Sequence, residues 1–271
     1  MESCCICGTV KNCGPYLLKV LKNVTKITNL FNKCNIIIYY DDSTDNSLEI
    51  LKQYKKTNKY MHIHHNKTYK SNYRTHRLAF GRNYCLNKIN KYYSDYKYFI
   101  MMDFDNVCFD DINISVLENH INNKDDEWDA LSFNKKNYYD LWALSIRPYI
   151  FSYAHYNDSS KVANNMHKFI TQQLNNNMDK NKLLPCYSAF NGFSIYKTNI
   201  FKDSYYCGKI CLNIIPSKYI EETKKENKSD IVFNDKDWLN SKYEDCEHRS
   251  FHFYAIHTKK ARILISPDIL F

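Results

Sequence analysis

Asp103 and Asp105 are two carboxylates separated by one residue, and they directly follow the apolar run 98–102. In an extended segment, residues i and i+2 point to the same side, so both carboxylates can converge on one cation. Hard divalent ions such as Mn²⁺ and Mg²⁺ prefer oxygen ligands and commonly share them with substrate phosphates. A metal held there would neutralise the charge that develops on a departing diphosphate. The spacing therefore predicts a divalent metal site, with a loop or helix cap as the alternative.

Residues 41–46 form a second acidic cluster, which follows the β-branched run 35–40. Such a run is typical of a strand that is buried on both faces. Further strands are predicted at 4–10, 60–64 and 96–102, with amphipathic helical patterns between them. This alternation predicts an α/β fold with a mostly parallel sheet flanked by helices. Ligands of such sheets bind beyond the carboxyl ends of the strands, which is where both acidic clusters would lie.

The second half of the chain has a less regular pattern. Three strands and one polar helix are predicted there, at 128–133, 189–196, 262–266 and within 157–179. The segment 244–252 is typical of a short helix, on which Asp245, His248 and His252 would share one face. The highly charged segment 221–237 favours a mobile loop.

Five short segments can be compared with known families, namely 39–47, 82–83, 102–106, 138–144 and 245–248. Together they resemble GT-A glycosyltransferases over roughly residues 4–255. The resemblance is closest to enzymes encoded by large DNA viruses of algae and amoebae, and it extends to fungal capsule-type mannosyltransferases. It implies one Rossmann-like GT-A domain over residues 1–271, with a nucleotide-binding half at 1–110 and a smaller acceptor-binding half at 111–271.

The resemblance also implies the reaction, which is metal-dependent transfer of a sugar from a UDP- or GDP-sugar to a glycan or other hydroxyl acceptor. Thr9 and Val10, after the first strand, would hold the nucleotide base and ribose together with the acidic turn. In that turn, Asp41 and Asp42 are both candidates for the base contact. Arg82 corresponds to a donor-side arginine of the family, whose guanidinium could bind the diphosphate through two hydrogen bonds. A solvated surface arginine is the alternative.

The family's acidic motif falls within 244–252. An inverting transferase needs a carboxylate that takes the proton from the acceptor hydroxyl, and such a base typically contributes about 10²- to 10⁴-fold to the rate. Asp245 is the first candidate and Glu247 the second, while a retaining mechanism stays open. His252 or His257 could supply a further metal ligand, because imidazole also binds Mn²⁺. A surface helix with ordinary salt bridges is the alternative for this segment.

Four residues between the acidic motifs could contact the sugar. Gly192 follows a predicted strand, and its missing side chain would allow a donor sugar to approach the backbone closely. Tyr138, Tyr139 and Trp142 could stack on sugar rings, or they could simply pack in the core.

The formal charge of +9 is compatible with an anionic partner, but no long basic block or nucleic-acid motif accompanies it. We therefore expect a diffusely basic surface and no nucleic-acid partner. No apolar run approaches the roughly 18–20 residues that cross a bilayer, and no leader pattern is seen. These features predict a soluble cytoplasmic protein, in the host cytoplasm if viral, without a transmembrane segment. The 11 scattered cysteines predict reduced thiols, including the cluster at 4–7 and Cys13.

Two other functions fit parts of the sequence. A sugar-phosphate nucleotidyltransferase usually has a glycine-rich N-terminal loop, and none is present around Gly8 and Gly14. A non-catalytic module that binds polysaccharide or nucleic acid would explain the basic charge without chemistry. The presence of both Asp103 and Asp105 argues against such a module.

Overall fold

The computed structural model describes residues 2–227, 230–232 and 244–271. Its strands are β1 (Ser3–Val10), β2 (Lys33–Tyr40), β3 (Met61–His65), β4 (Tyr98–Met102), β5 (Ala130–Asn134), β6 (Leu184–Cys186), β7 (Phe193–Lys197) and β8 (Ile263–Ile269). Its helices are α1 (Gly14–Thr28), α2 (Ser47–Thr57), α3 (Arg74–Tyr92), α4 (Ile114–Asn122), α5 (Ser159–Met178), α6 (Thr198–Phe201), α7 (Ser217–Asn227) and α8 (Glu247–Lys259).

The strands form one sheet in the order β3-β2-β1-β4-β7-β5-β8-β6. β1 to β4 run parallel, and β7 pairs antiparallel with both β4 and β5. β5 and β8 therefore share the direction of β4, since β8 is parallel to β5. The strand order reverses beside β1, because the chain first steps outward to β2 and β3 and then returns to β4 on the other side. Such a switch opens a crevice at the carboxyl ends of β1 and β4, and the prediction of a mostly parallel α/β sheet is confirmed.

Helices cover both faces of the sheet, and β1 shows how the two layers arise. Successive side chains of a strand point to opposite faces. Cys4 and Ile6 therefore join a core cluster with α1, whereas Cys5 and Cys7 join another with α3 and α8. All cysteines of the chain are free thiols, and this N-terminal group is part of the core. None of the described helices combines the length and apolar character that crossing a bilayer requires.

The second half departs from the sequence-based expectation in two places. α8 begins at Glu247 rather than at residue 244, because the backbone N–H of Asp245 donates to the Gly208 carbonyl at 3.0 Å and keeps this segment extended. Residues 221–227, expected in a mobile loop, belong to α7. That helix is held by Tyr219, which packs against the core cluster beneath it. Of the remaining predicted loop, only 230–232 lie within the described residues.

Candidate active site

Asp103 and Asp105 lie at the carboxyl end of β4, where the backbone fixes both. The N–H of Asp103 donates to the Gly192 carbonyl at 2.8 Å, because β7 pairs with β4 and brings the preceding turn alongside. Asp105 Oδ1 accepts from the N–H of Val107 at 3.0 Å and caps a short 3₁₀ helix, so the alternative interpretation also holds for this side chain. Both aspartates line one cavity of about 190 Å³.

The electrostatics of this cavity favour a bound cation. Burial and the neighbouring Asp105 raise the pKa of Asp103 to about 7, against the opposing effect of Arg82. Burial is the larger cause of this shift, and repulsion between the two carboxylates adds to it. A divalent ion between them would remove that repulsion.

Three cations share the cavity with the aspartates. Lys11 follows β1, and Arg74 and Arg77 lie on the first turn of α3. Lys11 Nζ is 2.9 Å from Asp41 Oδ2, whereas Arg74 has no ion-pair partner among the described residues. Sequence reasoning missed all three, because nothing in their spacing separates them from the other lysines and arginines, 38 in total. Together they place three positive charges beside the two carboxylates, where an anionic group could bind.

The two candidates in the acidic turn after β2 have different surroundings. Asp41 lines the same cavity as Asp103 and Asp105, and its Oδ1 accepts from Asn66 Nδ2 at 2.9 Å. Although burial favours the neutral acid, hydrogen bonds from Lys11 and Asn66 lower the pKa of Asp41. The side chain of Asp42 is 70% exposed and contacts His65 Nε2 at 2.5 Å. Of the two, only Asp41 lines the cavity that contains Asp103 and Asp105.

The two residues at the end of β1 have different positions. Thr9 lines the same cavity as Asp103 and Asp105. Val10 packs in the core, and its carbonyl accepts from the N–H of Asp41 at 2.8 Å. Val10 therefore positions the acidic turn and does not line the groove, which corrects its predicted contact with the nucleotide.

Arg82 is buried, and its partners are protein carboxylates. Its guanidinium donates to Asp103 Oδ1 at 3.0 Å, to the carboxylate of Glu247 and to His248 Nε2. The guanidinium carbon also lies 4.6 Å from the ring centroid of Phe190. Arg82 thus connects Asp103 to the start of α8.

This placement corrects the predicted diphosphate contact of Arg82. On α3, Arg82 shares the buried stripe of Ala79 and Leu86, at helical spacings of three and four. Its side chain is 4% exposed and does not line the cavity of Asp103 and Asp105, whereas Arg74 and Arg77 do.

The two candidate bases have separate surroundings. Asp245 pairs with Arg249 Nε at 2.9 Å and with His155 Nε2 at 3.3 Å. Burial raises the pKa of Asp245, but these two partners more than offset it, so the net shift is downward. Glu247 instead pairs with Arg82. Both carboxylates are buried, which corrects the alternative of a surface helix.

His252 is a core residue, which corrects its prediction as a metal ligand. Its Nδ1 is 2.9 Å from Ser188 Oγ and its Nε2 is 3.1 Å from the Tyr196 hydroxyl. No three histidine, cysteine, aspartate or glutamate side chains are grouped to hold a metal within the part of the chain that the structure describes. His257 faces the Ile214 carbonyl at 2.6 Å.

Asp140 and Asn191 are joined by two hydrogen bonds that the sequence did not predict. Asp140 Oδ2 accepts from the N–H of Asn191 at 3.2 Å, and Asn191 Oδ1 accepts from the N–H of Asp140 at 3.3 Å. This pairing holds Tyr139 over the site, with its hydroxyl 3.4 Å from Asp103 Oδ2. The ring of Tyr139 is 46% exposed, whereas Tyr138 is buried in the core.

Gly192 lies directly before β7 and does not follow a strand, which corrects its predicted position, and the reason for a glycine here also differs from the predicted one. Its φ is +87°, and an added Cβ would stand 2.2 Å from Val107 Cγ1. The close approach that glycine permits is therefore with the chain itself. Through its carbonyl, Gly192 fixes the backbone of Asp103.

A family model matches most of the chain. Residues 5–202 match the family model described as Glycosyl transferase family 2. No curated protein matches the sequence at a significant level. The match includes every groove residue described above and ends before α8.

Several solved structures are similar to this chain. TarS of S. aureus is 13% identical with a TM-score of 0.50, over 100% of this chain and 36% of that one. TarS 1–349 in complex with UDP-GlcNAc is 16% identical with a TM-score of 0.43, over 86% and 55% of the two chains. The mannosyltransferase PcManGT from Pyrobaculum calidifontis, in complex with GDP-Man and Mn²⁺, is 9% identical with a TM-score of 0.40, over 75% and 47%.

This chain therefore spans between 36% and 55% of the length of these three structures. At such identities the likeness concerns the fold alone. The family model, in contrast, matches well over half of the chain. On that match, the protein belongs to glycosyl transferase family 2.

Proposed function

We propose that the protein is a metal-dependent glycosyltransferase that moves a sugar from a UDP- or GDP-sugar to a hydroxyl of a glycan or other acceptor, with inversion. The observation that supports this most strongly is the cavity at the strand-order switch, which is lined by three carboxylates and three cations. Family membership accounts for glycosyl transfer, while the donor, the metal and the stereochemistry are the proposed part. An affinity to viral and capsule-type enzymes and a cytoplasmic location also belong to the proposal.

The residues present fit Mn²⁺ or Mg²⁺. Asp103 and Asp105 would hold the ion, and the donor's diphosphate and water would complete an oxygen-rich coordination shell. Burial and, next, the neighbouring Asp105 raise the pKa of Asp103, and a cation between the two carboxylates would relieve their repulsion. When bound, the ion neutralises charge on the leaving diphosphate.

The protein's own cations would act on the same leaving group. Arg74 and Arg77 can donate to phosphate oxygens with the fork geometry of the guanidinium, and Lys11 adds a point charge. Asp41, ionised and held by Asn66, would accept a hydrogen bond from a base N–H. Uracil and guanine both present such a donor, so this contact suits a UDP- or a GDP-sugar.

Asp245 is the first candidate for the general base and Glu247 is the second. Their different partners allow the two assignments to be tested separately. Asp245→Asn should lower turnover by about 10²-fold or more, with donor affinity retained. Glu247→Gln should weaken donor binding as well, because Arg82 would lose one partner and shift against Asp103. Full activity in both variants would refute the assignment of either carboxylate.

The reaction itself is tested by donor hydrolysis. Purified protein is incubated with UDP-GlcNAc or GDP-mannose with Mn²⁺, and again with a chelator. Slow release of UDP or GDP that requires the metal and Asp105 supports the proposal. Release of pyrophosphate would indicate nucleotidyl transfer, and hydrolysis that survives both the chelator and Asp105→Asn would refute metal dependence.

A further inference from the structure

A second groove of about 570 Å³ lies between the edge strand β3 and α3. None of its lining residues also lines the cavity of Asp103 and Asp105 or the adjoining cavity of Asp41 and Asp42. Its polar and aromatic lining consists of Lys55, His62, His64, Tyr84, Lys88, Tyr92 and Tyr93. The volume is typical of small-molecule sites, which run from about 300 to 1,000 Å³.

Two regular spacings create this surface. His62 and His64 are two residues apart on β3 and face the same side. Tyr84, Lys88 and Tyr92 follow one another at helical spacings of four on α3. The ring of His64 stacks on Tyr84 with centroids 4.0 Å apart, and the Lys88 ammonium lies 5.6 Å and 5.1 Å from the centroids of Tyr84 and Tyr92. The groove is therefore a row of rings with a cation in its centre.

The charge of the groove has one sign. Its described lining contains two lysines and no carboxylate, and neither Lys55 nor Lys88 has an ion-pair partner among the described residues. Burial and Lys88 lower the pKa values of both His62 and His64, and Lys55 adds to the effect on His62, so both imidazoles are neutral donors and acceptors near pH 7. A matching ligand has a flat face for the rings and an anionic group for the lysines.

We propose that this groove binds an anionic saccharide, such as a uronate-bearing segment of a glycan, with a sugar face on Tyr92 and its carboxylate near Lys88. The choice of a saccharide rests on the proposed function. Single-stranded nucleic acid would also stack on rings, but its sites follow a backbone over about 4–16 nucleotides. The bounded cavity favours a short saccharide.

The test measures binding of tetragalacturonate by calorimetry, with maltotetraose as the neutral probe and oligo(dT) as the nucleic-acid probe. Tyr92→Ala and Lys88→Gln should each weaken tetragalacturonate binding about tenfold. Tyr60→Ala is a matched control, because Tyr60 and Tyr92 are both 54% exposed and each carries a lysine ammonium 5.2 Å from the ring centroid. Tyr60→Ala should leave binding unchanged.

Equal loss in the Tyr60 and Tyr92 variants, equally tight maltotetraose, or tighter Tyr92-dependent binding of oligo(dT) would each overturn the proposal, as would no binding by the unmodified protein. Donor hydrolysis measured on the same samples separates the two hypotheses. Intact hydrolysis without tetragalacturonate binding refutes the groove alone. Binding without any hydrolysis refutes the proposed enzymatic function alone.

Discussion

Replacing Arg82 with methionine should destabilise the protein far more than replacing an equally well-paired surface arginine. Arg82 is buried between Asp103, 3.0 Å away, and Glu247. Removing one partner of a buried ion pair leaves an uncompensated charge and costs about 3–5 kcal/mol. With an unfolding entropy of about 2.1 cal/mol/K per residue, this corresponds to a decrease in Tm of about 5–9 °C for a chain of this length.

Arg262 supplies the matched control. Its guanidinium is 3.1 Å from Asp129, a distance close to that of the buried pair, but the Arg262 side chain is 48% exposed. Exposed pairs of this kind contribute about 0–1 kcal/mol, so Arg262→Met should lower Tm by no more than about 2 °C. Thermal unfolding followed by circular dichroism gives both values under identical conditions.

A double variant tests the cause. Adding Glu247→Gln to Arg82→Met removes one of the two orphaned carboxylates, so part of the lost stability should return. The reasoning is refuted if the Arg82 and Arg262 variants lose the same stability, or if the double variant is less stable than Arg82→Met alone.

Three further outcomes follow from the structure. Asp105→Asn should abolish the Mn²⁺-dependent thermal stabilisation by UDP-GlcNAc or GDP-mannose, whereas the same change at the exposed Asp110 should not. Gly192→Ala should cost about 2–4 kcal/mol in urea unfolding, because it combines a positive φ with a clash against Val107, and adding Val107→Ala should recover only the steric part. Iodoacetamide should alkylate Cys207 first, at a rate that rises through about pH 6, because a hydrogen bond from a neighbouring thiol lowers the Cys207 pKa to about 6 and the thiolate is the reactive form.

Each of these outcomes can fail in a recognisable way. Metal-dependent stabilisation that persists in the Asp105 variant would remove that carboxylate from the metal site. Complete rescue by Val107→Ala would mean that the backbone at Gly192 is not strained. Peptide mapping that finds even labelling across the thiols, or a rate that rises only near pH 9, would contradict the acidity of Cys207.

The parts of the site next to buried parallel strands were predictable. The apolar run before Asp103 and the β-branched run before Asp41 are long enough to identify their strands, and the parallel topology then brings both strand ends to one edge. The alternation of side chains along an extended segment then predicted that Asp103 and Asp105, two residues apart, face the same side. Local patterns sufficed because the relevant contacts run through adjacent strands.

Arg82, Asp140 and Asn191 could not be placed from the sequence, because their partners are distant in the chain. Arg82 meets Glu247 across 165 residues, and Asp140 meets Asn191 across 51. The prediction for α8 was wrong in its start for a similar reason. A backbone hydrogen bond to Gly208 keeps Asp245 extended, and no helical periodicity records such a contact.

The link between Arg82 and Glu247 also limits how the enzyme can be divided. Every residue that lines the cavity lies within the family match at 5–202, whereas Glu247 at the start of α8 lies outside it. A chimera that carried only the matched segment would leave the buried guanidinium of Arg82 without its Glu247 partner.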